Sequence, residues 1–185
     1  MYKFLFPALI IILIGCKQKA VRESGGNELS ADKIQIHRSE AETFNLLLDR
    51  SRLEKKNLFL VFAFQGCGIC RIFDNYHNDT IVKEILCKYF IIKKVDVNRT
   101  PGGKELYTTY GKIGFPSWTI IDSTKTVIAD SGSLKDGTGN IGFPNSERDR
   151  EYYIKAVKKA AISMTRTESD ILVKKLKEYR PDRVE

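Results

Sequence analysis

The chain is predicted to fold as an α/β domain in which a central mixed sheet is flanked by helices and extra helices follow at the C-terminus. Three features predict this. Leu58 to Phe64 (LFLVFAF) is a continuous apolar run, the pattern of a strand covered on both faces. A long helical stretch separates it from a second strand-like run, Phe90 to Val97, so strand, helix and strand make a right-handed crossover. The last forty or so residues repeat apolar positions at helical spacing between basic ones, roughly as two amphipathic helices.

The chain has 185 residues, enough for one domain plus flanking segments. It is 42% hydrophobic and 29% charged, the balance of a folded soluble domain and not of a multi-span membrane protein. The net charge of +8 comes from 31 basic and 23 acidic residues that are scattered along the chain. Nucleic-acid binding calls for a dense basic block, so no nucleic-acid partner is expected. A basic surface near an anionic membrane explains the charge equally well.

Met1 to Lys3 give a short positive start, Phe4 to Ile14 an apolar run, and Gly15-Cys16 a small residue at a cleavage point. The run is too short for a spanning helix and Lys17, Lys19 and Arg22 follow directly, so residues 1–15 read as a signal peptide. Residues 16–30 are polar, include Ser24-Gly25-Gly26-Asn27, and read as a flexible tether. The domain proper is expected over 31–164, with a helical extension over 165–185.

Within the domain, Ile34 and Ile36 alternate with polar neighbours as a short strand, and Ser39-Glu40-Ala41-Glu42 matches a capping box. Ala41, Phe44, Leu47 and Leu48 then recur at helical spacing to about Lys56. Gln65-Gly66 ends the apolar strand. A helix is expected from Arg71 to about Tyr89, restarting near Asn78-Asp79-Thr80, with Ile81, Val82, Ile85, Leu86 and Tyr89 on its buried side. Phe90 to Val97 reads as a second inner strand, Tyr107 to Tyr110 as the end of a helix, and Ser117 to Asp122 with Thr126 to Asp130 as a hairpin. Gly132 to Asn145 reads as a surface loop. The two closing helices run from about Ser146 to Met164 and about Glu168 to Tyr179, the second introduced by Thr167.

The chemistry concentrates at Cys67-Gly68-Ile69-Cys70, placed where a buried strand gives way to a helix. The two sulfurs lie one turn apart, and the first sits where unpaired backbone N–H groups and the helix dipole favour an anion. Cysteines so placed titrate below the ordinary value near 8.5, which makes Cys67 the expected nucleophile and Cys70 the resolving thiol. A permanent structural disulfide and half of a zinc site are the alternatives. Only His77 and Cys87 lie near enough in sequence to add ligands, so no metal is expected. His77 and His37 show no pairing signal with a cysteine, and His77 reads as a helix residue without a role. Cys87 falls off the apolar stripe and is expected to be partly exposed. Trp118, Tyr107 and Tyr110 read as core or rim packing.

Taken together, LFLVFAF, Cys67-Gly68-Ile69-Cys70, the long helix, IIKKVDV and Tyr110-Gly111-Lys112-Ile113-Gly114-Phe115-Pro116 resemble the thioredoxin family over about Ile34 to Asp130. The resemblance implies a thioredoxin-like fold and a redox-active Cys67–Cys70 disulfide with no other cofactor. It implies a cis Pro116 against the pair, with Phe115, Gly66, Gly68 and Ile69 meeting an extended substrate. Leu13-Ile14-Gly15-Cys16 resembles a bacterial lipobox, which implies a lipidated Cys16. Gly142-Phe143-Pro144 before two terminal helices is similar to thioredoxin-like lipoproteins of the bacterial envelope, facing the periplasm. Lys17 after Cys16 resembles those sent to the outer membrane rather than kept at the inner one. Expected partners are exported cysteine-containing proteins, an upstream redox partner, and the membrane through the lipidated N-terminus. Two departures stand out: Gly66 replaces the family's Trp, and Val61 replaces its buried acid. The pair could therefore serve thiol–disulfide exchange, as reductase or isomerase, or only staple the turn of a binding or assembly lipoprotein.

Overall fold

The computed structural model describes residues 40–132 and 139–179. The signal segment, Cys16, the tether, the Ile34–Ile36 strand and His37 lie outside the described residues.

The elements run in the order α1 (Glu40–Glu54), β1 (Asn57–Ala63), α2 (Gly68–Asn78), α3 (Thr80–Tyr89), β2 (Phe90–Asp96), α4 (Gly103–Tyr110), β3 (Ser117–Ile121), β4 (Val127–Asp130), α5 (Glu147–Ala160) and α6 (Arg166–Glu178). The sheet has the order β2-β1-β3-β4. β2 is parallel to β1, from Asn57 opposite Phe90 to Ala63 opposite Asp96. β3 is antiparallel to β1 and β4 antiparallel to β3. This mixed four-stranded sheet with helices on both faces is a thioredoxin-like fold.

β1 places the core because its side chains alternate between two apolar layers. Phe59 and Val61 face one layer with Phe73, Tyr76, Trp118, Tyr153, Leu172 and Leu176. Leu58, Leu60 and Phe62 face the other with Phe44, Leu48, Ile91 and Val95. The first layer draws on α2, α3, α5 and α6, the second on α1 and α4. α6 is locked to the body by polar contacts too: Lys88 pairs with Glu168 at 2.7 Å, the Tyr89 hydroxyl donates to Glu168 at 2.8 Å, and Lys175 pairs with Asp79 at 3.1 Å.

The restart near residue 79 is a real break. Asp79 closes α2, and its carboxylate accepts the Ile81 and Val82 amides at 3.0 and 3.2 Å to open α3.

Several expectations are corrected. α6 is capped by Thr165 and not Thr167, because Thr165 and Glu168 form the reciprocal capping box. Ile81 is 45% exposed, so the buried side of α3 is Val82, Ile85 and Leu86. Phe90–Asp96 is not an inner strand among the described ones; it stands at one end of the order, and its middle is only half-covered. α5 stops at Ala160, after which Ala161 and Met164 are buried in the core while Ile162 and Ser163 between them are exposed. Gly142, Phe143 and Pro144 are buried rather than surface loop, since Phe143 packs edge-on against Phe73 at 6.0 Å. His77 is also buried. Trp118 is wholly buried, as expected.

Candidate active site

β1 ends at Ala63, whose carbonyl accepts the Val97 amide at 2.9 Å, and the chain then turns through Phe64 to Gly66. Gly66 adopts φ +92°, a left-handed conformation that a side chain disfavours, although a Cβ there would meet nothing. The backbone of this turn therefore favours glycine at position 66, although there is space for a side chain.

Cys67 is the N-cap of α2 in extended conformation, and its Sγ accepts the Cys70 amide at 3.2 Å. That bond and the positive end of the helix dipole place positive charge at the sulfur of Cys67. Cys67 and Cys70 form a disulfide with Cα atoms 5.2 Å apart. Cys67 is half-buried while Cys70 is only 5% exposed, so the outer sulfur is the one an incoming chain reaches. Gly68 is exposed and Ile69 half-buried beside them. Val61 is 6% exposed and apolar, so β1 offers no carboxylate to the pair.

The loop before β3 lies at the same end of the sheet. Ser117 lies opposite Phe62, which brings the start of β3 to the end of β1 that carries the cysteines. The Phe115–Pro116 bond is cis, Pro116 is buried and Phe115 half-buried. Tyr107 stacks on Phe115 with centroids 4.8 Å apart, and its hydroxyl donates to the Lys112 carbonyl at 2.7 Å. Phe64 meets Phe115 edge-on at 5.2 Å. Behind the proline, Asn140 Nδ2 donates to the Pro116 carbonyl at 3.0 Å and Asn140 Oδ1 accepts the Gly142 amide at 3.0 Å. Trp118 Nε1 donates to the Gly142 carbonyl at 3.1 Å. The segment from Asn140 to Gly142 is thus a brace for the proline loop. Its Gly-aromatic-Pro run was visible in the sequence, but Asn140 was not; an Asn two residues before that glycine is the only local sign.

A cleft of about 320 Å³ opens at the cysteines, lined by Phe64, Cys67, Arg71, Asp74, Lys94 and Arg99 among others. Lys94 pairs with Asp74 at 2.6 Å, whereas the Arg71 and Arg99 guanidinium groups have no ion pair among the described residues. These charged residues were not singled out in the sequence because they come from three segments that only the fold joins. Phe115 and Pro116 do not line this cleft; Phe64, which does, connects them to it. A larger groove of about 520 Å³ between α5 and α6 shares no residue with the cysteine cleft.

His77 lies two turns beyond Cys70 on the buried side of α2. Its ring packs on Phe73 at 4.3 Å and Phe59 at 5.4 Å, and its Nε2 is 3.4 Å from the Tyr153 hydroxyl. Burial pushes its pKa down to about 4, so it is a neutral core residue at pH 7. Cys87 is half-buried on α3, outside the disulfide. Among the described residues no group of three or more His, Cys, Asp or Glu converges on a point, and no helix is long and apolar enough to cross a membrane.

The site is thus a disulfide at a helix N-terminus, half open to a cleft, with a braced cis-proline loop at the same end of the sheet. No protein-family model and no curated protein matches the chain. Among solved structures it is similar to the disulphide isomerase from Xylella fastidiosa Temecula1, with 21% identity, a TM-score of 0.46, and 80% of this chain and 98% of that one covered. It is also similar to a DsbH oxidoreductase, with 23% identity, a TM-score of 0.47, and 76% of this chain and 96% of that one covered.

Proposed function

We propose that this chain is a thiol–disulfide oxidoreductase of the bacterial envelope, of reductase or isomerase type, acting on exported cysteine-containing proteins. The observation that carries the reading is the Cys70 amide donating to Cys67 Sγ at the head of α2, with Cys67 the more open sulfur. In the reduced protein that donor and the helix dipole favour the thiolate, which is the attacking form. Cys67 attacks one sulfur of a substrate disulfide, forming a mixed disulfide and expelling the other sulfur as thiolate. Cys70 then gives up its proton and attacks Cys67 Sγ, releasing the second substrate thiolate. Two electrons pass to the substrate, and the protein is left as the Cys67–Cys70 disulfide. An upstream thiol donor resets it. The same pair run in isomerase mode needs no net electrons.

The N-terminus supports a place for this chemistry. Cys16 in its lipobox-like setting would carry lipid, with residues 16–30 spacing the domain from the bilayer and Lys17 favouring the outer membrane. Loss of fatty-acid labelling in Cys16→Ala tests the anchor separately from the catalysis.

The test of the catalysis is Cys70→Ser, which should accumulate mixed disulfides through Cys67. Absence of trapped species, together with no insulin reduction by the parent protein, rejects the reading. A second reading is motivated by apolar Val61: a binding or assembly lipoprotein whose disulfide only staples the turn. A Cys67–Cys70 potential below about −300 mV, resistant to the glutathione pool, would favour it.

A further inference from the structure

We infer that the end of the sheet opposite the cysteines is a docking surface for an anionic lipid bilayer. Strand register gathers that end: β1 begins there at Asn57, β2 begins level with it at Phe90, and β3 finishes there with Ile121 opposite Leu58. Asn57 Nδ2 donates to the Ala160 carbonyl at 2.8 Å, tying the α1–β1 turn to the end of α5. Arg52 donates to the Ser123 carbonyl at 3.2 Å, tying the end of α1 to the β3–β4 turn. Three turns therefore share one end of the molecule.

At that end Leu53 is 84% exposed and Ile162 is 94% exposed. A single exposed aliphatic is ordinary. Here two stand at one end, and exposed Lys55, Lys125, Lys158 and Lys159 lie in the α1–β1 turn, the β3–β4 turn and the last turn of α5 at that same end. The nearby acids are already engaged. Glu54 pairs with Arg50 and Lys56, Asp49 with Arg52, and Glu168 with Lys88. Asp122 accepts the Thr124 hydroxyl and the Thr126 amide. Lys55, Lys158 and Lys159 have no ion pair among the described residues, and Lys125 lies over the Phe44 ring at 5.9 Å.

Aliphatic tips and lysines sharing one end are the chemistry of an interfacial contact: the tips enter the headgroup–acyl boundary and the ammonium groups meet lipid phosphates. A second copy fits poorly, because a two-fold contact would set the same cations against themselves. The seven residues of β1 rise about 3.3 Å each, so a docked domain holds Cys67 roughly 20 Å above the bilayer, facing away from it. The inference rests on the described residues alone and does not require the anchor or the redox reading.

Hydrogen exchange of the full-length chain tests it, with phosphatidylcholine vesicles compared to vesicles carrying about 30% phosphatidylglycerol, where surface potential is negative. Amides of 53–57 and 160–165 should gain several-fold protection on the anionic vesicles only, lost at high salt. Leu53→Glu with Ile162→Glu, and separately Lys158→Glu with Lys159→Glu, should abolish that protection while disulfide exchange with a soluble substrate stays unchanged. Equal protection on both vesicles, or none on either, overturns the inference. Protection in lipid-free solution that rises with protein concentration points to a second copy and overturns it as well.

Discussion

Gly142 stands directly against Pro116: a Cβ on Gly142 would come within 3.0 Å of the Pro116 carbonyl oxygen and 3.5 Å of its ring. Gly142 also has φ +50°, and its amide and carbonyl are both held, by Asn140 and Trp118. The cis-proline loop is therefore packed against a residue that has little room for a side chain.

Gly142→Ala should push the proline loop forward and add backbone strain, costing about 1–2 kcal/mol. Turnover of a protein disulfide should fall several-fold while the redox potential of the pair stays within error. A variant as active and as stable as the parent would show that the brace is not needed.

Phe115 owes its position to Tyr107, which stacks on it and is itself held by Lys112. Tyr107→Leu loses both contacts. The expected result is a higher KM for protein disulfides with an unchanged rate toward a small disulfide reagent, measured by parallel steady-state kinetics. Equal losses on both substrates would place the effect in the cysteine pair instead.

Asp79 is the hinge between α2 and α3 and also meets Lys175 and the Tyr179 hydroxyl of the C-terminal region. Asp79→Ala should cost about 2 kcal/mol, most of it from the lost cap, or roughly 4–8 °C in Tm for a chain this size. Asp79→Asn keeps the cap and loses only the charge, so its Tm should fall by less. Calorimetry of the two variants separates the terms.

His77 makes stability pH-dependent in a defined window. Its folded pKa of about 4 lies below the ordinary 6.5, so the unfolded chain takes up a proton first as pH drops. The stabilisation is complete above pH 6.5 and is lost as pH falls toward 4, by about 3 kcal/mol in all. Urea unfolding across pH 4 to 7 should show this slope, and His77→Phe should flatten it. A parent with no slope there would mean that His77 reaches solvent.

The fold was largely legible because its signals are local. LFLVFAF is apolar at every position, which reads as a strand covered on both faces, and the two core layers divide Leu58 to Phe62 alternately, while Phe64, beyond the strand, is exposed at the cleft. The same holds for Cys67 and Cys70: their spacing at a strand-to-helix junction needs no long-range information to bring two sulfurs together. The proline loop was readable only through a family resemblance, since nothing in Gly114-Phe115-Pro116 by itself sets a cis bond.

What the sequence could not determine was set by partners far along the chain. His77 looks like any helix histidine, and only Phe59, Phe73 and Tyr153 closing round it make it a neutral core residue. Thr165 and Thr167 are equally good caps in isolation; Glu168, held by Lys88 and Tyr89 of α3, leaves Thr165 as the one that starts α6. The cleft cations, the Asn140 brace and the tie of Asn57 to Ala160 likewise join residues tens of positions apart. Periodicity and spacing report which face of an element is apolar, because that depends on neighbours three or four residues away. Which residues meet across elements depends on how those faces pack, and only the tertiary structure decides that.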